Sequence, residues 1–136
     1  MRHWLLKSEP DVYSYEQLLR DGETVWDGVR NNAARLNLRA MQPGDEAFFY
    51  HSNSGREVVG ICRVSAAAFP DPTDASGQWV AVKVAPVRAL PHSVTLAAIK
   101  ADAALAGFQL VRQSRLSVVP VTEAEWQRVL QLAAPA

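Results

Sequence analysis

The chain has 136 residues, of which 49% are hydrophobic and 21% are charged. This is the size and composition of one compact domain over residues 1–136, and it excludes disordered and collagen-like classes. The 14 basic and 14 acidic residues cancel to a net charge of zero, which argues against a protein that coats duplex nucleic acid through a strongly basic surface.

The first predicted elements are a strand, a helix and a second short strand. Residues 3–7 (HWLLK) form an apolar run typical of a buried strand. A capping box at residues 14–17 predicts a short helix that ends before Gly22. Residues 24–29 then predict a brief strand or loop.

A second helix and a hairpin are predicted next. Asn31 or Asn32 is expected to cap a helix that extends through Met41, where Pro-Gly follows. The aromatic-rich residues 45–51 and the apolar residues 58–64 predict two strands joined by a turn.

The second half of the chain predicts a loop, two strands and two helices. Residues 69–77 have loop composition, and residues 78–87 alternate as a half-buried strand does. Residues 96–105 are alanine-rich and predict a helix. Residues 116–121 predict a short strand, and Thr122 opens a C-terminal helix with a capping box. Five or six short strands among three or four helices favour an α+β protein whose small sheet is strongly curved or closed.

Cofactor, metal and membrane signals are missing from the sequence. The glycines are isolated, so no phosphate-binding loop is present, and the three histidines are too scattered for a metal motif. Cys62 is the single cysteine and is expected to be a buried hydrophobe. No apolar run approaches the ~20 residues that span a bilayer. We therefore expect a soluble cytoplasmic protein without metal.

Neighbouring aromatic and basic residues are the most informative chemical pattern. Trp26 is followed closely by Arg30 and by further arginines, and Arg112 and Arg115 flank a polar pair just before a strand. Aromatic rings stack on bases and arginines bind phosphates, as single-nucleotide or single-strand sites require. Each piece also has a structural explanation, because most tryptophans lie in cores and most helix-surface arginines are solvated.

Six strings follow one another along most of the chain. They are WLLKSEPDVYSYEQL (4–18), WDGVRN (26–31), FFYHSN (48–53), FPDPT (69–73), VTLAAIKAD (94–102) and LVRQSRLSVVPVT (110–122). Together and in this order they resemble the EVE domain family, a PUA-like group related to YTH domains. The resemblance implies a small curved β-barrel of five to six strands with helices packed outside.

The resemblance also implies a function and partners. It implies a nucleic-acid-binding module that accepts one flipped-out modified base of DNA or RNA, either methylated or hydroxymethylated cytosine or methylated adenine. It implies no cofactor. A partner nuclease or modification enzyme is compatible with this role, and we expect a monomer.

Carried over residue by residue, the resemblance predicts a base pocket with Trp26 as its stacking wall. The base pocket comprises Lys7, Ser8, Glu9, Trp26, Asn31, Tyr50, His51 and Ser52. Contacts to phosphates and the nucleic-acid backbone are assigned to Arg30, Arg112, Gln113, Ser114, Arg115 and Ser117.

Several alternatives remain open. The family continues after WDGVRN with tyrosine and glutamine, where this chain has Asn32 and Ala33, which implies a roomier or more polar pocket if that tyrosine contributes to the wall. Alternatively, Arg112 and Arg115 hold their own loop in place by hydrogen bonds to backbone carbonyls.

Two other functions remain open. A small hydrolase acting on a nucleoside or an amide would use Glu9, Lys7 and His51. His51 and Ser52 would not pair, since strand neighbours point to opposite faces. The other function is that of a scaffold that binds small molecules or proteins and no nucleic acid, and a pocket wall of uniform negative potential would favour it.

Overall fold

A six-stranded mixed sheet forms the centre of the molecule, as a computed structural model describes it for residues 1–135. The strand order across the sheet is β2-β5-β4-β3-β1-β6. The strands are β1 (His3–Ser8), β2 (Thr24–Trp26), β3 (Glu46–His51), β4 (Glu57–Pro70), β5 (Val80–Thr95) and β6 (Val118–Val121).

The first strand lies inside the sheet. β1 pairs in parallel with β3 and antiparallel with β6, and all other neighbours are antiparallel. Since parallel neighbours need a long crossover, residues 9–45 connect β1 to β3, and they carry two helices and the edge strand β2. This crossover returns next to the amino end of β1, where Glu46 pairs with His3.

Helices cover the sheet and connect its strands. They are α1 (Tyr15–Asp21), α2 (Asn32–Ala40), α3 (Leu96–Ala101), a 3₁₀ turn (Ala103–Leu105), α4 (Gln109–Arg112) and α5 (Glu123–Ala133). No helix within residues 1–135 has both the length and the apolar character of a membrane span.

Local caps begin the helices where the sequence predicts them. Ser14 accepts a hydrogen bond from the Gln17 backbone N–H at 3.1 Å, and Asn31 accepts one from the Ala34 N–H at 2.9 Å. Thr122 begins α5 with both bonds of a capping box. At Ser14 only half of the box forms, because the Gln17 side-chain oxygen accepts from Arg20 instead.

The second half of the chain departs from the sequence prediction in three places. The helix predicted over 96–105 breaks at Asp102, whose side chain caps the 3₁₀ turn and pairs with Arg128 on α5. β4 extends through Pro70, so the segment predicted as a loop begins as a strand, and β5 extends through Thr95. The short helix α4 is not predicted from the sequence.

The sheet is strongly curved and its edge strands β2 and β6 are not hydrogen-bonded to each other. Helix α2 packs against β6 at one edge and against β5 and β4 near the other, which requires the sheet to curve around it. The predicted α+β architecture of up to six strands with helices outside is confirmed, with an open rather than a closed sheet.

Large apolar side chains fill the interior between the sheet and the helices. Trp4, Phe48, Phe49 and Phe108 are completely buried. Cys62 is also completely buried, and this burial raises the pKa of its thiol to about 12. The prediction that Cys62 is a core residue rather than a nucleophile is therefore confirmed.

Candidate functional site

A cavity of about 650 Å³ opens at the carboxyl end of β1, a volume typical of ligand sites. Its walls come from this strand end, the 9–13 loop, β2 and the loop of residues 27–31. Seven residues that the sequence analysis assigned to the site border it: Lys7, Ser8, Glu9, Trp26, Arg30, Asn31 and Ser117.

Trp26 forms one wall at the end of β2. The ring packs edge-on against Phe49, with centroids 5.5 Å apart, and against Tyr13, with centroids 6.4 Å apart. Only 9% of the residue is exposed, and it borders the cavity. Trp26 is thus both a core residue and a wall of the cavity.

The turn after Trp26 is held by a buried carboxylate. Gly28 has φ +76°, a backbone conformation that favours glycine, and its N–H donates to Asp71 Oδ2 at 2.8 Å. Arg30 Nη1 donates to the same oxygen at 3.0 Å. Burial alone would raise the pKa of Asp71, but hydrogen bonds from Thr73, Gly28 and Arg30 hold this pKa well below its usual range.

The end of β1 contributes three polar side chains, each already hydrogen-bonded. Lys7 Nζ donates to the Ser114 carbonyl oxygen at 2.9 Å, and burial lowers the pKa of this half-buried amine. Ser8 Oγ donates to the Tyr13 carbonyl oxygen at 2.6 Å. The exposed Glu9 carboxylate accepts from Asn53 Nδ2 at 2.7 Å.

Asn31 lies between this cavity and a second one of about 310 Å³. Its side-chain oxygen caps α2, and its amide nitrogen makes no hydrogen bond within residues 1–135. The second cavity is bordered by Asn31, Ala33, Arg112, Gln113, Ser114, Arg115 and Leu116. The residues that the resemblance assigns to the nucleic-acid backbone therefore lie beside those assigned to the base.

The two arginines of the second cavity differ in their contacts. Arg112 Nε donates to the Ala106 carbonyl oxygen at 3.0 Å, so this side chain does tie down its loop. The Arg115 side chain is exposed and makes no hydrogen bond or ion pair in the described part of the chain. Its guanidinium group remains available to a ligand.

Three residues predicted for the base pocket do not border either cavity. Tyr50 is 3% exposed, and burial raises the pKa of its hydroxyl. His51 Nε2 accepts a hydrogen bond from the Tyr15 N–H at 3.1 Å, at the start of α1. Ser52 N–H donates to the Ser8 carbonyl oxygen at 2.9 Å. His51 therefore anchors the start of α1, and Ser52 anchors the carboxyl end of β1.

Other residues of the site are not predicted from the sequence. Those that border the first cavity are Val12, Tyr13, Thr24, Val25, Asp27, Gly28 and Val29. Asp71 supports the cavity wall from a loop 43 residues beyond Gly28. Asp71 lies in the FPDPT string, which was the one signal that could have drawn attention to it. Within residues 1–135, no group of three His, Cys, Asp or Glu side chains is arranged to hold a metal ion.

Known proteins are similar to this chain in both sequence and fold. Human thymocyte nuclear protein 1 (THYN1) is 34% identical over 96% of this chain and 73% of that protein. The structure of human THYN1 in complex with DNA containing 5-methylcytosine has a TM-score of 0.93 and covers 100% of this chain and 99% of that chain. A Rhodopseudomonas palustris protein solved by NMR is 48% identical, with a TM-score of 0.93 over 98% of this chain and 93% of that chain.

A more distant likeness shows only the fold. The YTH domain of the Zygosaccharomyces rouxii MRB1 protein is 19% identical, with a TM-score of 0.63 over 99% of this chain and 88% of that chain.

The sequence model of the EVE domain matches residues 2–132. The chain therefore belongs to the EVE domain family, as its sequence strings suggest.

Proposed function

We propose that this chain is a nucleic-acid-binding module whose first cavity receives one flipped-out modified base. The observation that carries the proposal is the cavity of about 650 Å³ beside Trp26, in a chain 34% identical to a protein whose structure contains 5-methylcytosine DNA. The ligand class comprises methylated or hydroxymethylated cytosine and methylated adenine.

The energetics of base extrusion are compatible with such a cavity. Flipping a base costs a few kcal/mol, and least for a strand that is already single. Stacking on an aromatic wall returns about 1–3 kcal/mol per base, and burying one methyl group adds only about 0.8 kcal/mol. Discrimination therefore depends on polar groups that an unmodified base would leave unpaired. The Asn31 amide nitrogen is a candidate donor, because Asn31 borders the cavity.

The second cavity is the proposed path of the nucleic-acid backbone. Arg115 is its exposed cation without a protein partner in the described residues, and Arg112 adds a second charge beside it. Ala33, whose small side chain borders this cavity, leaves room for a sugar or phosphate. Arg30 is already bonded to Asp71 and Thr73, so it contributes less to phosphate binding than the other two arginines.

A matched panel of short oligonucleotides tests the proposal directly. The panel contains DNA and RNA, single and double strands, with cytosine, 5-methylcytosine, 5-hydroxymethylcytosine, adenine and N6-methyladenine at one fixed salt concentration. We expect at least a tenfold preference for one modified base, which corresponds to about 1.4 kcal/mol. Equal affinity for modified and unmodified strands contradicts base reading.

A pair of tryptophan variants locates the site. Trp26→Leu removes the cavity wall, and Trp126→Leu is its control, because Trp126 is also buried, on α5, and borders neither cavity. Both variants are expected to lower the free energy of unfolding, since both remove buried ring surface. Only Trp26→Leu should reduce affinity for the preferred oligonucleotide; an equal loss in both variants moves the site elsewhere.

The second candidate function is a small hydrolase, and one observation favours it. Burial lowers the pKa of Lys7 inside the cavity, as occurs for lysines used in catalysis. However, the Lys7 amine is bonded to the Ser114 carbonyl oxygen, Glu9 is exposed, and His51 borders neither cavity. Turnover of nucleoside or amide substrates that Lys7→Met abolishes would support this candidate over the first.

The cavity walls also bear on the scaffold alternative. They carry Lys7 and Arg30 together with Glu9 and Asp27. The potential is therefore of mixed sign rather than uniformly negative, which disfavours that alternative.

A further inference from the structure

We propose that Asp71 is a positioning residue for ligand binding, which holds the loop of residues 27–31 in its binding geometry without touching the ligand. The inference rests on the proposed function of the first cavity. Asp71 does not border either cavity, and its side chain is completely buried. Its effect on the ligand must therefore pass through the residues it bonds.

The contacts of Asp71 join two loops that are distant in sequence. Oδ2 accepts from the Gly28 N–H at 2.8 Å and from Arg30 Nη1 at 3.0 Å. Oδ1 accepts from the Thr73 N–H and from Thr73 Oγ1, both at 2.7 Å. One carboxylate thus holds Gly28 and Arg30 on the loop that runs from Trp26 to Asn31, and anchors them to its own loop.

Arg30 extends the same connection. Its Nη2 donates to Thr73 Oγ1 at 3.1 Å, and its guanidinium group lies over the Trp79 ring at 5.7 Å. Its Nη1 also donates to the Val29 carbonyl oxygen at 3.1 Å. Three hydrogen bonds and an aromatic face therefore fix a side chain that borders the first cavity. The Asp71–Arg30 pair orients the wall, because a buried carboxylate with four donors cannot move without leaving some of them unpaired.

The turn itself shows why an external anchor is needed. Asp27, Gly28 and Arg30 are exposed, and only Val29 of this segment packs into the core, so apolar packing restrains one residue and leaves the polar ones to other contacts. Asn31, which begins α2 and borders both cavities, follows directly. If the anchor is lost, Trp26 remains packed on Phe49, but Gly28 to Asn31 lose their fixed placement relative to it.

Two variants of Asp71 and its neighbour, with one control, test the inference. Asp71→Asn keeps the shape of the side chain but removes the charge and cannot accept all four hydrogen bonds. Asp102→Asn is the control, since Asp102 also pairs with an arginine, Arg128, at 2.6 Å, and neither residue borders a cavity. Thr73→Val removes the hydroxyl bridge at an exposed position and serves if Asp71→Asn does not fold.

Two readouts separate positioning from stability. The first is affinity for a short DNA containing 5-methylcytosine, and the second is the NMR resonances and exchange rates of the Gly28 to Asn31 amides without ligand. Asp71→Asn is expected to lose at least tenfold in affinity and to shift these resonances, with Thr73→Val changing both in the same direction to a smaller extent. Asp102→Asn is expected to lose thermal stability alone.

The outcomes that overturn the inference are distinct from a failure of the proposed function. Wild-type affinity in Asp71→Asn, or an equal loss in Asp102→Asn, overturns it. If the wild-type protein shows no preference for the modified base, the proposed function fails while the amide resonances still decide the positioning role. Unchanged Gly28 to Asn31 resonances in Asp71→Asn then overturn the inference as well.

Discussion

Lys7 and Ser114 connect the two cavities, because the Lys7 ammonium donates to the Ser114 carbonyl oxygen at 2.9 Å across 107 residues of chain. Lys7 borders the first cavity and Ser114 borders the second. The bond lies beside β6, where the Lys7 N–H also donates to the Ser117 carbonyl oxygen at 3.0 Å. One lysine thus provides a positive charge in the base cavity and fixes the segment that carries Arg115.

Lys7→Met is therefore expected to weaken binding more than it weakens the fold. The methionine keeps the apolar stem but removes one hydrogen bond, which costs about 1 kcal/mol of stability. The loss of the charge and of the Ser114 anchor should reduce oligonucleotide affinity several-fold, measured by fluorescence titration beside chemical unfolding. Lys100→Met, at an exposed lysine of α3, is the control, and an equal affinity change in both variants would leave only a general charge effect.

The salt dependence of binding should distinguish the two arginines of the second cavity. A cation that contacts phosphate adds about one unit to the slope of log affinity against log salt. Arg115 has no bond to the described chain, so Arg115→Ala is expected to flatten the slope by about one unit for every oligonucleotide sequence alike. Arg112 already donates to the Ala106 carbonyl oxygen, so Arg112→Ala should flatten it less.

The contrary result would be equally clear. Slopes identical to wild type in both variants would mean that these arginines only hold the loop. A larger decrease in slope for Arg112→Ala than for Arg115→Ala would make Arg112 the main phosphate contact. Arg88→Ala is a suitable control, because this exposed arginine of β5 borders neither cavity.

The free energy of unfolding is expected to decrease as the pH is lowered below about 6.5, and His51 is the cause. Its Nε2 accepts the Tyr15 N–H, which only the neutral ring can do. Burial lowers the pKa of His51, with Glu57 and Glu16 partly offsetting it. The unfolded chain, with a histidine pKa of about 6.5, then binds more protons than the folded one. The contribution is present above this pH and is lost as the pH falls through the lower folded pKa.

The comparison variant for this prediction is His51→Gln, whose side-chain oxygen can accept the same N–H without titrating in this range. Urea unfolding between pH 5 and 7.5 should show a shallower fall for His51→Gln than for wild type. The other two histidines are present in both proteins, so their contribution cancels in the difference. Parallel pH profiles would exclude His51 as their source.

The helix starts are predicted from the sequence because their capping bonds are local. The caps at Ser14, Asn31 and Thr122 are bonds to N–H groups three residues ahead, so the sequence alone contains both partners. Asp102, where the next helix breaks, accepts a local bond from the Ala104 N–H and also bonds Arg128, 26 residues away. Local pattern therefore gives the helix start correctly at Leu96 but misses where that helix stops.

The same distinction separates the site residues. Lys7, Glu9 and Trp26 occur in strings that end strands, and the fold brings these ends to one cavity. The roles of His51 and Asp71 depend on which distant N–H groups reach them, namely those of Tyr15 and Gly28. No pattern within their own strings indicates those partners. The sequence therefore predicts that His51 lies in the pocket, and it gives no role to Asp71.

Gly60→Ala is expected to destabilise the protein because of a single close approach. A Cβ atom at Gly60 would lie 2.6 Å from Cε1 of Tyr15, well inside normal contact. The Tyr15 ring cannot retreat, since its hydroxyl donates to the Ile61 carbonyl oxygen at 2.7 Å and its ring packs on Phe49 at 5.3 Å. Overpacking of this kind costs about 1–3 kcal/mol.

Thermal or urea unfolding measures this cost, and Gly107→Ala is the matched control. No atom lies within 4 Å of a Cβ at Gly107, so that variant should be neutral or slightly more stable. Equal stability of the two variants would mean that Tyr15 moves freely. Because Tyr15 begins α1 directly after the 9–13 loop, a displaced ring would also move one wall of the first cavity, and the Gly60→Ala protein that remains folded should bind the preferred oligonucleotide more weakly.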